Sequence, residues 1–398
     1  MADQNIHRRE FLKRSARAGV GAALAAGLFP SRVLGANERV VLGVIGSGGR
    51  GRNVTRAFQQ FGASVAAVCD VYTPNQDQAM QMAGSSAKRC ADFRQVLDNK
   101  DVDAVLIATP DHHHCEQLIA AVQAGKDVYV EKPLSHSIEE GVRMVKAVRG
   151  SKRVVQVGMQ RRSSEAMRKA KGLIDEGKIG RVTMVKAQWN WNRSRPLDNS
   201  PLAGALDWKR FVGPAKERPL EPMRFRAWRN FWDYSGGHMT DQGTHLMDVV
   251  RWFTNAPAPH AAVCMGSVYK MSGAETPDIF SAVFEYPGLM ATWTLTYCND
   301  YQNGWSIFFQ GDGGTMELDD MGYRLYGTPW KPGAAPVFEF KGGIPTEPHV
   351  QNFLDCIKSR QDPNAPIEVG HLAVAGPHLA NQAYFKKQRV TMPDLAAS

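Results

Sequence analysis

Residues 40–51 read VVLGVIGSGGRG, an apolar run followed at once by a glycine-rich turn. The apolar run predicts a buried strand, and a helix is predicted over residues 52–61. Between them, Gly46, Gly48 and Gly51 have the spacing G-x-G-x-x-G. Glycines at these positions allow a tight turn, a close approach of the backbone to a pyrophosphate and close helix–strand packing. The stretch therefore predicts the first strand–turn–helix unit of a dinucleotide-binding sheet.

A second apolar run, over residues 64–69, predicts the neighbouring strand and ends in Asp70. A carboxylate at this position accepts hydrogen bonds from the adenosine ribose and repels a 2′-phosphate. No arginine lies between Val71 and Gln76 to receive such a phosphate. The pattern predicts NAD rather than NADP, although Asp70 taken alone also fits a turn or a helix cap.

Alternating strands and helices continue to residue 158, which predicts a parallel sheet with helices on both faces. The strand over residues 128–130 is followed by Glu131, Lys132 and Pro133. Ligands of open α/β sheets bind in the crevice at the carboxyl ends of the strands. Lys132 is therefore predicted to donate hydrogen bonds in that crevice. Outside such a series of strands, a Glu–Lys pair would more simply be a solvated surface feature.

Metal binding is not predicted. The six cysteines contain no C-x-x-C pair, and most stand in apolar surroundings as small hydrophobic residues, with disulfides left open. His112, His113 and His114 follow Asp111, which is predicted to cap a helix. Successive helical side chains point in different directions, so these histidines do not form one chelating group. They are predicted to form a helix start at the rim of the crevice.

Composition limits the classes of partner. The chain has 398 residues, of which 43% are hydrophobic and 22% charged, as in a two-domain globular protein. The formal net charge is +9, but residues 1–36 hold six basic and two acidic residues, which leaves 42 basic and 37 acidic residues elsewhere. No basic stripe is interleaved with aromatic residues. Nucleic acid is therefore not a predicted partner.

The first 36 residues have the features of a targeting segment. Residues 8–13 read RREFLK, a twin-arginine pattern, and an Ala/Gly-rich apolar stretch follows over residues 18–29. Small residues suited to cleavage lie at 33–36. Residues 1–36 are predicted to be a twin-arginine signal that exports the folded protein to the periplasm and leaves no membrane segment. The alternative is an anchor that is never cut.

Beyond residue 159 the composition changes. Five of the nine tryptophans fall between Trp189 and Trp232, in a segment that also contains several arginines. Indole faces suit the C–H faces of sugar rings, and arginines suit hydroxyls or carboxylates, although a loop packed by its own aromatic residues fits equally. Later runs over residues 262–318 alternate apolar and polar residues, which predicts a mostly antiparallel sheet.

Residues 236–248 read GGHMTDQGTHLMD and open a predicted helix. Asp241 and His245 are i,i+4 neighbours on one face near its start. A helix N-terminus disfavours imidazolium, so His245 is predicted to be a neutral base that Asp241 tunes. A lone helical histidine is more often structural, but a carboxylate, a histidine and two glycines together favour a site.

These motifs together resemble those of the glucose–fructose oxidoreductase/inositol dehydrogenase/rhizopine-catabolism family, written Gfo/Idh/MocA. The likeness covers nearly all of the chain after residue 36. It implies an α/β protein with a Rossmann domain, a doubly wound parallel sheet, over residues 37–158. A C-terminal α/β domain with an open, mostly antiparallel sheet would follow over residues 159–398 and often forms an oligomer interface.

The resemblance also implies roles for individual residues. Lys132, Asp241 and His245 match the family's catalytic lysine, aspartate and histidine. The implied cofactor-binding residues are Gly46, Ser47, Gly48, Gly49, Arg50, Gly51, Asp70, Thr109, Pro110, His114, Glu131 and Lys132. The implied substrate-binding residues are Arg161, Trp189, Trp191, Arg193, Trp232, Asp241 and His245.

The implied activity is NAD-dependent hydride transfer between nicotinamide and a hydroxyl of a sugar, sugar acid or cyclitol, in a homo-oligomer. Export favours an NAD that stays bound and is recycled by a second substrate. One alternative is a redox-neutral NAD-dependent glycosidase acting through a 3-keto intermediate, against which the Glu-Lys-Pro motif argues. Another is an exported, non-catalytic sugar-binding protein, against which the set Lys132, Asp241 and His245 argues.

Overall fold

A computed structural model of the protein describes residues 39–393. The predicted targeting segment, residues 1–36, lies outside the described residues. The described chain contains two sheets, one of six and one of nine strands. Among residues 39–393, no helix has both the length and the apolar character that crossing a membrane requires.

The first sheet is parallel throughout, in the order β3-β2-β1-β4-β5-β6. Every residue of β4 and β5 is buried, as expected for strands covered on both faces. The strand order confirms the predicted doubly wound sheet. Its strands are β1 (Val41–Ile45), β2 (Ser64–Cys69), β3 (Lys88–Cys90), β4 (Ala104–Ile107), β5 (Asp127–Val130) and β6 (Val155–Val157).

Five helices connect these strands. They are α1 (Gly49–Gln60), α2 (Thr73–Ala83), α3 (Phe93–Asp98), α4 (Asp111–Gln123) and α5 (Ile138–Ser151). Ser137 caps α5 by accepting a hydrogen bond from the backbone N–H of Glu140. The predicted cap at Asp111 is wrong, because Pro110 takes the N-cap position and Asp111 is buried in the first turn.

The second sheet has the order β14-β13-β12-β11-β7-β10-β9-β8-β15. Only the β7–β10 pair is parallel, so the predicted, mostly antiparallel sheet is confirmed. Its strands are β7 (Val182–Asn190), β8 (Ala261–Ser267), β9 (Ile279–Tyr286), β10 (Leu289–Thr296), β11 (Gly304–Gly311), β12 (Gly314–Asp319), β13 (Gly322–Gly327), β14 (Phe338–Lys341) and β15 (Val390–Thr391).

Seven further helices accompany this sheet: α6 (Glu165–Asp175), α7 (Trp208–Val212), α8 (Pro222–Arg226), α9 (Gly237–Asp241), α10 (Gly243–Thr254), α11 (Glu347–Ser359) and α12 (Ile367–Lys386). One face of the sheet forms the core with α10, where Phe253 stacks on Phe309 at a ring-centroid distance of 5.1 Å. The opposite face is open, and Met265 on β8 is 81% exposed.

The last two helices also reach the first sheet. On α11, Phe353 packs against Phe58 and Tyr129, with ring centroids 6.0 and 5.8 Å away. Ile367 and Ala373 of α12 belong to the apolar cluster on the other side of that sheet. Residues from the end of the chain therefore complete the core around the parallel strands. The domain limits 37–158 and 159–398 stay a prediction.

All six cysteines are free thiols, and four of them are buried. Burial raises the pKa of Cys69 to about 12 and that of Cys115 to about 11. Such thiols are protonated at neutral pH and pack as small apolar side chains.

Candidate active site

The glycine-rich turn lies where the carboxyl end of β1 meets α1. Gly46 has a φ of +84°, and a Cβ there would lie 2.7 Å from the backbone carbon of Ala108. A Cβ on Gly51 would lie 2.2 Å from the carbonyl oxygen of Gly46. Only glycine fits at both positions. The turn brings its backbone to a cleft, and the first amides of α1 are free to bind an anion there.

A cavity of about 740 Å³ opens beside this turn. Its walls include the carboxyl ends of β1, β2 and β4. Seven of the predicted cofactor residues line it, namely Gly46, Gly48, Gly49, Arg50, Asp70, Thr109 and Pro110. This volume lies in the range of small-molecule and cofactor pockets.

Asp70 fastens the turn as well as facing the cavity. Its Oδ2 accepts hydrogen bonds from the backbone N–H and the hydroxyl of Ser47, at 2.7 and 3.0 Å. Its Oδ1 accepts from the N–H of Tyr72 at 2.9 Å. Burial raises the pKa of the Asp70 carboxyl, while these donors favour its charged form.

Two predicted cofactor residues act through their neighbours. Glu131 is buried and pairs with Arg50, whose Nε lies 2.7 Å from Glu131 Oε1. His114 bridges two strand ends, since its Nδ1 lies 2.8 Å from the carbonyl oxygen of Pro133 and its Nε2 lies 2.9 Å from that of Thr109. These contacts hold the ends of β4 and β5, and hence Lys132, in place.

Lys132 and Asp241 meet across 109 residues of sequence. The Lys132 ammonium donates to Asp241 Oδ1 at 2.7 Å and to the Asp241 carbonyl oxygen at 3.0 Å. Arg229 Nε lies 3.2 Å from the other carboxylate oxygen, Oδ2. Burial alone would raise the pKa of Asp241, but Lys132 and Arg229 hold it well below its usual range. Asp241 is therefore an ionised carboxylate shared by two cations.

His245 lies in the first turn of α10, as predicted, and is buried. Its Nδ1 has no hydrogen-bond partner within residues 39–393. Burial, followed by the charges of Arg161 and Lys132, lowers its pKa well below 6.5. The imidazole is therefore neutral at physiological pH and able to accept a proton.

A second histidine, His238, stands one turn before Asp241 in α9. It is buried, and neither ring nitrogen has a partner among the described residues. Its ring stacks on Tyr297 at a centroid distance of 4.3 Å. Burial lowers the pKa of His238 to about 4. The predicted motif over residues 236–248 contains His238, but only Asp241 and His245 were assigned roles from the sequence.

The predicted substrate residues fall into two groups. Trp189 and Trp191 pack edge to face at 5.0 Å, and the guanidinium of Arg193 lies 3.7 Å from the Trp191 ring centroid. Trp191 also packs against Tyr297, at 5.5 Å, which links this group to His238. Trp232 lies elsewhere: it packs on Tyr384 and Phe385, and its Nε1 donates to the carbonyl oxygen of Glu275.

Residues 197–234, here called the crossing segment, form the outer wall of the cavity. Nine of the lining residues come from it: Asp207, Lys209, Arg210, Phe211, Gly213, Phe225, Arg226, Trp228 and Arg229. Hydrogen bonds attach it to the residues between β2 and the first turn of α2, from the Thr73 N–H to the Ala205 carbonyl oxygen and from the Asp207 N–H to that of Val71. Local sequence patterns gave no indication of this attachment.

The histidine run belongs to the same attachment. His112 Nε2 and His113 Nε2 lie 2.9 and 2.8 Å from the carbonyl oxygen of Phe211. Burial lowers the pKa of His113 to about 4, so the ring is a neutral hydrogen-bond donor. Within residues 39–393, no cluster of three or more His, Cys, Asp or Glu side chains is arranged to hold a metal ion.

Family models match most of this architecture. Residues 40–159 match an oxidoreductase-family model with an NAD-binding Rossmann fold, and residues 167–317 match a Gfo/Idh/MocA C-terminal domain. The chain belongs to the Gfo/Idh/MocA oxidoreductase family. The predicted family, fold class and NAD cofactor are thereby confirmed. The predicted function is confirmed as far as an NAD-binding oxidoreductase. The tight glycine turn and its cavity fit that cofactor.

Curated relatives match only part of this Gfo/Idh/MocA chain. An inositol 2-dehydrogenase of Klebsiella pneumoniae is 40% identical over 148 residues, which are 36% of this chain and 44% of that protein. An inositol 2-dehydrogenase 3 of Saccharopolyspora erythraea is 39% identical over 151 residues, 37% of this chain and 44% of its own. The match thus spans less than half of each relative.

Solved structures share the fold. The WlbA dehydrogenase of Bordetella pertussis, in complex with NADH and UDP-GlcNAcA, has a TM-score of 0.69 at 22% identity over 89% of this chain and 99% of its own. A levoglucosan dehydrogenase, in complex with NADH and levoglucosan, has a TM-score of 0.72 at 20% identity over 89% and 100%. At this identity the likeness concerns the fold alone.

Proposed function

We propose that the protein is an NAD-dependent dehydrogenase that transfers hydride between a carbohydrate hydroxyl carbon and nicotinamide. The observation that carries this proposal is the Lys132–Asp241 pair, 2.7 Å apart at the end of β5, beside a neutral, buried His245. When bound, NAD supplies the hydride acceptor, and the protein supplies position and electric field. Glycoside cleavage without net reduction and sugar binding without reaction are the competing functions.

Lys132 positions and polarises the reacting oxygen. An ammonium has three N–H donors, and Lys132 uses two of them on Asp241. The third is available for the substrate hydroxyl, where it stabilises the negative charge that develops on oxygen. Asp241 holds the ammonium through both its side chain and its backbone. It orients Lys132 without needing to change its own protonation state.

His245 takes the hydroxyl proton. Its first-turn position and burial both disfavour imidazolium, so the ring is ready to accept a proton at neutral pH. Both ring nitrogens of His238, beside Tyr297, lack a partner among the described residues, and these nitrogens bind further hydroxyl groups of the substrate. Trp191 and Arg193 form a flat, cationic edge that suits a sugar or cyclitol ring.

The test is a single-turnover reaction of NAD-loaded protein with aldoses, uronic acids, cyclitols and glycosides, followed by NADH absorbance. Reduction of NAD by at least one of the first three classes is expected. Glycoside cleavage with no net NADH would replace the proposal by the redox-neutral glycosidase. Binding of sugars with neither outcome would leave a binding protein.

NAD is proposed to stay bound through the catalytic cycle and to be recycled by a second substrate. The crossing segment supports this, because it forms the outer wall of the cavity and is attached to α4 and to the residues that follow β2. A twin-arginine exported protein would carry such a cofactor with it. Denaturing the purified protein and assaying the supernatant should release stoichiometric NAD(H). An empty protein that exchanges NAD freely would contradict retention and leave an ordinary dehydrogenase.

Oligomerisation through the open face of the second sheet is proposed as well. Met265 is 81% and Met290 is 49% exposed on strands of that face, and Val263 is 40% exposed beside them. Apolar patches on a sheet are common association surfaces. Light scattering should give a mass above 44 kDa, and Met265→Glu should lower it. A monomer at micromolar concentration would refute this proposal.

A further inference from the structure

Arg161 is a buried cation that lacks a partner in the part of the chain that the structure describes. It lies in a short 3-10 turn directly after β6, and its residue exposure is only 4%. Within residues 39–393 its Nε has no hydrogen-bond partner, and the guanidinium forms no ion pair. A guanidinium carries five N–H donors, and a buried charge is costly unless it is paired. The Arg161 guanidinium therefore has N–H donors available to a bound acceptor.

The adjacent Arg162 shows that the fold can supply a partner here. Arg162 makes a two-pronged ion pair with Asp248, at 2.8 to 3.0 Å. Burial lowers the pKa of Arg161, and the negative charges of Asp320 and Asp248 oppose that shift. Asp248, however, forms its ion pair with Arg162, and Asp320 accepts a hydrogen bond from Trp305 Nε1. Neither is left as a close partner for Arg161.

Two indole rings frame the guanidinium. The Arg161 guanidinium carbon lies 4.3 Å from the ring centroid of Trp305 and 5.7 Å from that of Trp189. Stacking on indole keeps the plane of the guanidinium fixed and leaves its N–H edge free. Arg161 is also close enough to His245 to lower its pKa. Trp189 packs in turn on Trp191, which contacts Tyr297 and through it His238, so a continuous group of aromatic rings connects Arg161 with the substrate side of the cleft.

Charges in this cleft do not balance. Lys132 and Arg229 share the one carboxylate of Asp241, while burial keeps His238 and His245 neutral. The other carboxyl near Arg229 is that of Asp111, whose Oδ2 accepts from Ser235 Oγ at 2.7 Å and whose pKa burial raises. Oxidised nicotinamide would add a further positive charge. An anionic substrate would offset this excess.

We propose that the substrate is an acidic sugar, an aldonic or uronic acid, whose carboxylate is bound by Arg161 between Trp305 and Trp189. A guanidinium edge matches the two oxygens of a carboxylate and can bind both at once. The Lys132–His245 pair would then act on a hydroxyl of the same molecule. This inference rests on the proposed function for its reaction, but the binding preference that it states can be measured separately.

The test compares acids with their neutral isosteres. Binding of glucuronate, galacturonate and gluconate to NADH-loaded protein is measured by calorimetry, each beside the corresponding amide. At least one acid should bind more tightly than its amide. Arg161→Gln should weaken the binding of that acid by roughly tenfold to a hundredfold, the range for a hydrogen bond to a charged group. The affinity for the amide should be unchanged. Glucose 6-phosphate is included to separate a carboxylate site from a phosphate site.

Matched variants keep the test decisive. Arg143→Gln removes an exposed arginine from α5 and should leave the preference intact. Arg161→Lys keeps the charge but loses the planar edge, so it should retain part of the preference even if the glutamine variant folds poorly.

Three results would overturn the inference: equal binding of every acid and its amide, no binding of any acid, or a preference that survives Arg161→Gln. Tighter binding of the sugar phosphate than of all acids would also count against a carboxylate site. An acid preference without any NADH formation would leave this inference standing while the proposed dehydrogenase fails. NAD reduction by neutral sugars without a preference for acids would support the proposed dehydrogenase and refute this inference.

Discussion

On the cofactor side of the cleft the backbone forms the site, whereas on the substrate side ionisable side chains form it. Gly46 and Gly51 leave no room for a Cβ, and the anion-binding groups there are backbone amides. Across the cleft, the nearly buried pair of Lys132 and Asp241 and the partly exposed Arg229 form a charged group. The first kind of site depends on shape. The second depends on which charges are paired, so single substitutions should have their largest effects there.

The largest effect is expected from Lys132→Met, which removes the cation but keeps most of the length of the unbranched side chain. The single-turnover rate of NAD reduction should fall by about a hundredfold to ten-thousandfold, because the developing charge on oxygen loses its donor. NAD binding, measured by fluorescence titration, should change little. Lys100→Met, at an exposed position, is the control. Unchanged turnover in Lys132→Met would remove its catalytic role.

His245 and His238 allow the roles on the substrate side to be separated further, since both are buried and each has a ring nitrogen without a hydrogen-bond partner among residues 39–393. His245→Ala should lower the hydride-transfer rate by about a hundredfold to ten-thousandfold, and less at high pH, where hydroxide partly replaces the base. His238→Ala should instead raise KM, by roughly tenfold if one hydrogen bond is lost, with kcat nearly unchanged. Equal loss of kcat in both variants would contradict this division.

On the cofactor side, Asp70→Ala should weaken NAD binding by roughly tenfold, the size of one or two lost hydrogen bonds. The preference for NAD over NADP should narrow at the same time, because the carboxylate no longer repels a 2′-phosphate. Ser47 also loses its acceptor. Ser47→Ala keeps the carboxylate and is the control: it should leave the cofactor preference in place. Tighter binding of NADP than of NAD by the unmodified protein would refute this assignment.

The smallest change in the hydride-transfer rate is expected from mild acid. The pKa of His245 is lowered well below 6.5 by burial, so the ring stays neutral as the pH falls from 8 to 6. The hydride-transfer rate should therefore be nearly constant over this interval and decline only at lower pH. A pH–rate profile of the NAD-loaded protein measures this. A decline with a midpoint near 6.5 would mean that the base titrates as an ordinary histidine.

The stability of the folded protein should also decrease in acid. Burial lowers the pKa of His113, His238, His349 and His378 to about 4 in the folded protein, against about 6.5 when unfolded. The unfolded chain therefore binds more protons between these values, and the free energy of unfolding falls as the pH falls from 6.5 to 4. Each such histidine contributes a slope of up to about 1.4 kcal/mol per pH unit. Urea titrations at several pH values would check it.

Sequence patterns predicted the features that are local in the chain. The glycine spacing, Asp70 and the strand before Lys132 were each predicted from residues that lie close to that feature in the sequence. The contacts that complete the site are long-range: Lys132 to Asp241, His238 to Tyr297, and the crossing segment to the residues that follow β2. Arg229 was visible only as one arginine among several, and Tyr297 only as a strand residue. No periodicity records such meetings.

The wrong cap at Asp111 has a similar origin. An acidic residue before a helical pattern is a good local cap, but here the helix starts one residue earlier and the carboxylate accepts from Ser235, 124 residues away. Trp232, grouped with Trp189 and Trp191 by its place in the sequence, packs against α12 instead. Nearness in sequence was a poor guide to nearness in the cleft.

The packing of α11 against the first sheet has a consequence for how the chain becomes a folded protein. Phe353 covers Phe58 and Tyr129, and Ala365 and Ile367 cover the other side of the same sheet. A fragment ending at residue 158 would expose these apolar surfaces to water. The parallel sheet can therefore reach its final packing only after almost the whole chain has been synthesised. The last two helices therefore complete the packing on both faces of a sheet whose first strand begins some 300 residues earlier.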